Sequence, residues 1–176
     1  GNHAQGVAFM CRQLKVNGVI YMPVTTPQQK IQKTQIFGGE FVEIRLTGDY
    51  FDDCLHTAQS FCEQKSLHFL SPFDDEDIII GQASVGVEIK KQLGGSPDHI
   101  ILPVGGGGLS AGVTSYFGNK CTYTLVEPVG AASLREALVK GKPTKLDTVN
   151  TFTDGAAVGK IGEKTFSRLK NIGLAN

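Results

Sequence analysis

An apolar strand that runs directly into four consecutive glycines is the feature that most narrows what this chain can become. His99–Val104 reads HIILPV, the kind of run that is buried on both faces of a parallel sheet. Gly105, Gly106, Gly107 and Gly108 follow at once, and a helical pattern opens at Leu109 and extends to about Phe117. Strand, glycine turn and helix in that order form the first part of a βαβ unit, which predicts an α/β fold built on parallel strands. The same segment concentrates chemistry. Backbone N–H groups at a helix N-terminus attract an anion, and glycine lets a phosphate approach the main chain closely. A turn that bound nothing would need only one or two glycines.

The rest of the chain repeats the alternation of strand and helix. Residues 4–14 place Val7, Met10, Cys11 and Leu14 on one helical face. Val19–Met22 reads as a strand. Thr26, Pro27 and Gln29 predict a helix start with Thr26 as N-cap and Pro27 at the first helical position, and the Gly38-Gly39 pair ends that helix. Phe41–Leu46 alternates as a strand, residues 50–65 form a helix, and His68–Leu70 is a short strand. The segment Ser71–Asp77 carries a proline and four acids, so a domain crossing is placed there, giving units 1–70 and 71–176. Beyond it, residues 78–93 are helical, Tyr123–Val126 is a strand, and helices follow at 131–140 and roughly 160–170.

Composition closes off several function classes. Seventeen basic residues balance seventeen acidic ones, which argues against a nucleic-acid or anionic-membrane partner. A hydrophobic share of 40% suffices for a packed core, and no apolar run is long enough to span a bilayer. Cys11, Cys54, Cys62 and Cys121 form no C-x-x-C pair. They are read as free thiols in a reducing cytoplasm. His56, His68 and His99 are scattered and read as structural or surface residues. Asp74, Asp75, Glu76 and Asp77 lack the alternation of a calcium loop and read as a solvated turn and helix start.

Two phosphate ligands compete for the glycine loop on motif grounds. Gly106, Gly108 and Ala111 fit G-x-G-x-x-A, with Glu127 about twenty residues on. That is a dinucleotide pattern and would make the chain a nicotinamide-dependent oxidoreductase. Against it, about a hundred residues precede the loop, and they begin with another ligand-like motif, GNHAQG, leading into a helix.

The segments GNHAQG, MPVTTPQQK, GGEFVEI, PFDDEDIIIGQ, PVGGGGLSAG, VEP and DGAAVGKIGEKTF occur in this order across the chain. The series resembles the threonine dehydratase (threonine ammonia-lyase) family, whose wider relatives include serine dehydratase and serine racemase. The resemblance implies the pyridoxal-phosphate fold type II: two open, twisted, mostly parallel sheets flanked by helices, here incomplete. Residues 1–70 would be most of a small domain and 71–176 part of the large cofactor-binding domain. The implied reaction is elimination of water from an amino-acid substrate, L-threonine and also L-serine, with hydrolysis of the product to 2-oxobutanoate or pyruvate and ammonia, in an enzyme that is a dimer or tetramer. Racemase and serine-dehydratase activities, and a non-catalytic module of the same fold, remain alternatives.

The resemblance also assigns residues. Asn2 would bond the hydroxyl of the pyridoxal 5'-phosphate ring, and Gly1, Asn2 and His3 would hold the substrate carboxylate. Gly105, Gly106, Gly107, Gly108 and Leu109 would cradle the cofactor phosphate. Gly155, in the Asp154-Gly155 pair, would lie near the ring. Ile80-Gly81-Gln82-Ala83 departs from the family's A-G-Q-G. Glu127, with the Ala131 carbonyl, would bind a monovalent or divalent cation as in the racemases, although Ser133 stands where those relatives carry an acidic ligand. A plain helix cap is the competing reading of Glu127. The family's Schiff-base lysine, in a K-x-R-G-type context upstream of G-N-H, has no counterpart among these residues. The chain is therefore read as the middle of a dehydratase, inactive alone.

Overall fold

The structure, a computed structural model, describes residues 1–49, 51–153 and 155–172, with only the backbone at 51 and 52. The chain divides into two compact units, Gly1–Leu70 and Ser71–Asn176.

The first unit runs α1 (Asn2–Leu14), β1 (Gly18–Met22), α2 (Gln28–Gly38), β2 (Val42–Leu46) and α3 (Phe51–Lys65). β1 and β2 pair in parallel with Gly18 opposite Val42, so α2 is the crossover that parallel pairing demands. Ala8 and Cys11 of α1 pack on Ile20, Met22 and Val42 to form the core. α1 ends at Lys15 in a left-handed conformation, and the next amide, of Val16, reaches back to the Cys11 carbonyl to satisfy the helix end.

The second unit runs α4 (Glu76–Leu93), β3 (His99–Pro103), α5 (Gly108–Phe117), β4 (Thr122–Val126), α6 (Ser133–Lys140) and α7 (Glu163–Leu169). β3 and β4 are again parallel, His99 opposite Thr122, with α5 as crossover. α4 and α5 approach closely through glycine. A methyl on Gly112 would stand 2.6 Å from the Ile79 carbonyl oxygen, and one on Gly86 would stand 2.8 Å from the Tyr116 ring. Ile79, Val104, Ala111, Leu134, Ile161 and Phe166 share one core cluster. Ile100, Leu102, Val113, Phe117 and Tyr123 share another. Among the described residues, no helix is long and apolar enough to cross a membrane.

Three sequence expectations need correction. The cap of α2 is Pro27, one residue later than Thr26. Pro27 is extended (φ −54°, ψ 134°) and its own carbonyl accepts the first amides, from Lys30 and Ile31, so it stands outside the helix. His68–Leu70 is not a strand, because these three residues pair with no strand among the described residues. β3 is not buried on both faces: Ile100 and Leu102 point into the core while Ile101 is 67% exposed, since the described helices cover one side of the pair. The predicted helix over 50–65 is α3, and Tyr50 lies outside the described residues.

Candidate functional site

β3 delivers the chain to the glycine run, and the run opens α5. Gly107 is the N-cap residue, with φ 90° and ψ −3°, a conformation that costs an L side chain free energy and glycine almost nothing. Gly106, Gly107, Gly108 and Ser110 are buried. The Ala111 amide bonds the Gly107 carbonyl at 2.8 Å and begins the helical ladder. Among the described residues, no protein acceptor takes the amides of Gly105, Gly106, Gly107, Gly108, Leu109 or Ser110. Six consecutive donors, largely buried, at the positive end of a ten-residue helix require an acceptor that the described residues do not supply. A phosphate has the charge and the number of oxygens to fill that need.

The glycines are small for several reasons. A methyl on Gly106 would lie 2.3 Å from the Phe73 ring, and one on Gly108 would lie 3.1 Å from the Phe73 β-carbon. At Gly105 it would stand 3.1 Å from the Ala156 backbone. Phe73, ahead of α4, thus fills the space against which the loop is folded. The Ala156 contact also places the residue after Gly155 beside the loop. Gly155 is exposed with open space where a methyl would go, and Asp154 lies outside the described residues.

Two adjacent acids divide the capping of two helices. Asp75 caps α4, its Oδ1 accepting the amides of Asp77 at 2.9 Å and Ile78 at 3.4 Å. Asp74 turns to α7. Its carboxylate accepts the amides of Glu163 at 3.0 Å, Lys164 at 2.8 Å and Thr165 at 3.3 Å. Thr165 is fully buried, and its hydroxyl donates to the Gly106 carbonyl at 2.7 Å. Sequence reasoning passed over Phe73 and Thr165, and read Asp74 only as part of a solvated turn and helix start, because their contacts join distant segments. The one local signal was the Gly162-x-x-Thr165 spacing at a helix start.

Glu127 leaves the end of β4 and caps α6. Its two carboxylate oxygens accept the amides of Leu134 at 2.7 Å and Arg135 at 2.9 Å. Burial pushes its carboxyl above the ordinary value, partly offset by those two amides. Of the readings open to Glu127, this is the geometry of the cap, so the ribose role of the dinucleotide reading is not carried forward. Ala131 is buried in a 3₁₀ turn just ahead of α6, and the Ser133 hydroxyl is buried with no hydrogen-bond partner among the described residues. Among the described residues, no group of three or more histidine, cysteine or acidic side chains is arranged to hold a metal ion.

In the first unit, Gly1 occupies the cap position of α1 and no side chain caps the helix. Asn2 is exposed, and its carboxamide has no partner among the described residues. The amides of Asn2, His3 and Ala4 likewise have no described acceptor. His3 is half-buried, its Nε2 3.3 Å from the Leu70 carbonyl, and burial pulls its pKa below the ordinary value of 6.5. All four cysteines are free, and burial raises each thiol pKa, so none is primed as a nucleophile.

Comparison with known proteins agrees with this chemistry. The chain is 47% identical over 175 residues to the biosynthetic L-threonine dehydratase IlvA of Bacillus subtilis. That alignment covers 98% of this chain and 42% of the relative, so the chain spans less than half of that protein's length. The processed form of threonine deaminase isoform 2 from Solanum lycopersicum superposes with a TM-score of 0.88 at 41% identity. It is matched over 98% of this chain and 50% of its own. A threonine deaminase from T.th. gives 0.84 at 30% identity, over 98% and 56% of the two chains. The family described as pyridoxal-phosphate dependent enzyme matches residues 1–174. With that match spanning nearly the whole sequence, the chain belongs to the pyridoxal-phosphate dependent enzyme family.

Proposed function

We infer that this chain is part of a lyase that eliminates water from L-threonine, the product then hydrolysing to 2-oxobutanoate and ammonia, and from L-serine, giving pyruvate and ammonia. The observation that carries the reading is the row of six unclaimed amides from Gly105 to Ser110, in a chain 47% identical to a threonine dehydratase. The unit Gly1–Leu70 is assigned to most of the small domain, and Ser71–Asn176 to part of the large cofactor-binding domain.

Bound pyridoxal 5'-phosphate supplies the electron sink that lets the α-proton of an amino acid leave. The residues described here do the binding. The amides of Gly105–Ser110 take the phosphate oxygens, and the α5 dipole adds its positive end to the same charge. Gly155 leaves room near the ring. The unpartnered Asn2 carboxamide is free to donate to the ring oxygen. The first-turn amides of α1, at Asn2, His3 and Ala4, suit a carboxylate such as that of the substrate. His3, favoured neutral by its burial, adds no charge there at neutral pH. Four unbridged thiols suit a reducing compartment such as the cytoplasm.

Covalent catalysis in this family needs a lysine that these residues do not supply, so the test is made on protein of the relatives' length that carries them. Reconstituted with pyridoxal 5'-phosphate, it is expected to release 2-oxobutanoate and ammonia from L-threonine. Release of D-serine from L-serine with no 2-oxo acid from either substrate would overturn the lyase reading in favour of a racemase. Absence of any cofactor-dependent turnover would overturn both.

A further inference from the structure

The geometry points to Thr165 as a positioning residue that aims the phosphate-binding amides, with Asp74 holding Thr165 in place; this rests on the cofactor reading above. The Thr165 hydroxyl donates to the Gly106 carbonyl at 2.7 Å and lies 3.2 Å from the Gly162 carbonyl. A peptide group is planar and trans, so fixing the Gly106 carbonyl toward Thr165 turns the Gly107 N–H to the opposite side. Gly107 is the cap of α5 and sits at the centre of the unclaimed row. Glycine has no rotational preference of its own to hold that peptide, and the Gly162 amide reaches the same carbonyl only at 3.5 Å. The hydroxyl therefore does what a side chain in the loop cannot.

Thr165 is held in turn from outside the loop. It is the third residue of α7, whose first three amides all bond the Asp74 carboxylate. Asp74 follows Phe73, whose ring packs against Gly106 and whose β-carbon and backbone stand near Gly108. One dipeptide, Phe73-Asp74, thus supports the glycine loop from one side and fixes the hydroxyl that aims it from the other.

The test compares two probes, pyridoxal 5'-phosphate and pyridoxal, which differ only in the phosphate. Equilibrium binding to apoenzyme prepared from the full-length holoenzyme is followed by absorbance. Wild type should bind pyridoxal 5'-phosphate far more tightly than pyridoxal. If it does not, the cofactor reading itself fails. Thr165→Val, which removes the hydroxyl at nearly constant volume, should weaken pyridoxal 5'-phosphate by about tenfold or more and leave pyridoxal unchanged. Thr165→Ser should restore the wild-type preference. Thermal unfolding of each apoenzyme reports folding separately. Where Thr165→Val does not fold, Asp74→Asn decides, because it weakens the support of α7 without touching the loop; it should lower the preference for the phosphorylated probe. Unchanged preference in a folded variant, equal loss of both probes, or failure of serine to rescue would each overturn the assignment.

Discussion

Replacing Gly106 by alanine drives a methyl into the ring of Phe73. Three ring atoms lie 2.3, 2.3 and 2.5 Å from the position the new carbon would take, where ordinary contact begins at 3.4 Å. Ring or loop must give way by about an ångström, a degree of overpacking that costs about 1–3 kcal/mol. Gly106 does not have a positive φ, so no backbone strain is added. Without the clash, a Gly→Ala change gains about 0.4–1 kcal/mol by restricting the unfolded chain. The two effects separate in a double-mutant cycle read by urea unfolding of the apoprotein. Gly106→Ala should destabilise the parent and be neutral or stabilising in a Phe73→Ala background. Gly107→Ala provides the contrast: φ 90° costs about 1–2 kcal/mol, and a methyl there would stand 3.0 Å from the Thr165 β-carbon and hydroxyl rather than against Phe73, so its cost should survive the Phe73→Ala change. Equal costs for Gly106→Ala in both backgrounds would refute the packing explanation of this glycine.

Further outcomes follow from single contacts. Glu127→Ala removes the acceptor of two α6 amides and should lower stability by about 1–2 kcal/mol in chemical denaturation; no loss would refute the cap. Ser133→Ala removes a buried hydroxyl with no partner among the described residues and should be neutral or stabilising by up to about 1 kcal/mol, whereas clear destabilisation would reveal a partner. His3 should titrate below 6.5 by proton NMR. Because its folded value is depressed and its neutral form favoured, its contribution to stability is complete above 6.5 and is lost as pH falls through the lowered value. A midpoint at or above 6.5 would overturn that assignment. The 176-residue chain alone should release no 2-oxo acid from L-threonine under conditions where the full-length protein does.

What was legible in the sequence was local. The strand, glycine turn and helix around Gly105–Gly108 could be read because neighbouring residues define them. The helix pattern of α4 was read from Ile78, two residues after its true start at Glu76, and the acids ahead of it were read only as a turn and helix start. The reasons behind the glycines were less accessible. Close approach of a phosphate explains a glycine-rich loop, yet Gly106 and Gly108 face Phe73, a residue of another segment. The acidic run looked uniform, while Asp74 and Asp75 cap different helices. Glu127 carried several motif readings, and only coordinates could show both its oxygens on α6 amides. The α2 start slipped by one residue because proline is compatible with both the cap and the first turn.

The clamp on the glycine loop also has a temporal side. Thr165 and Gly106 are 59 residues apart, and Asp74 and Lys164 are 90 apart, so both contacts close long loops and belong to the late, entropically expensive part of folding. A ribosome that has released the chain only as far as Phe117 has already delivered every glycine of the cradle, but not the hydroxyl that orients it. Competence to capture an anion should therefore emerge with α7 rather than with α5. A cofactor present during synthesis would bind the finished arrangement selectively and draw the folding equilibrium toward it by mass action.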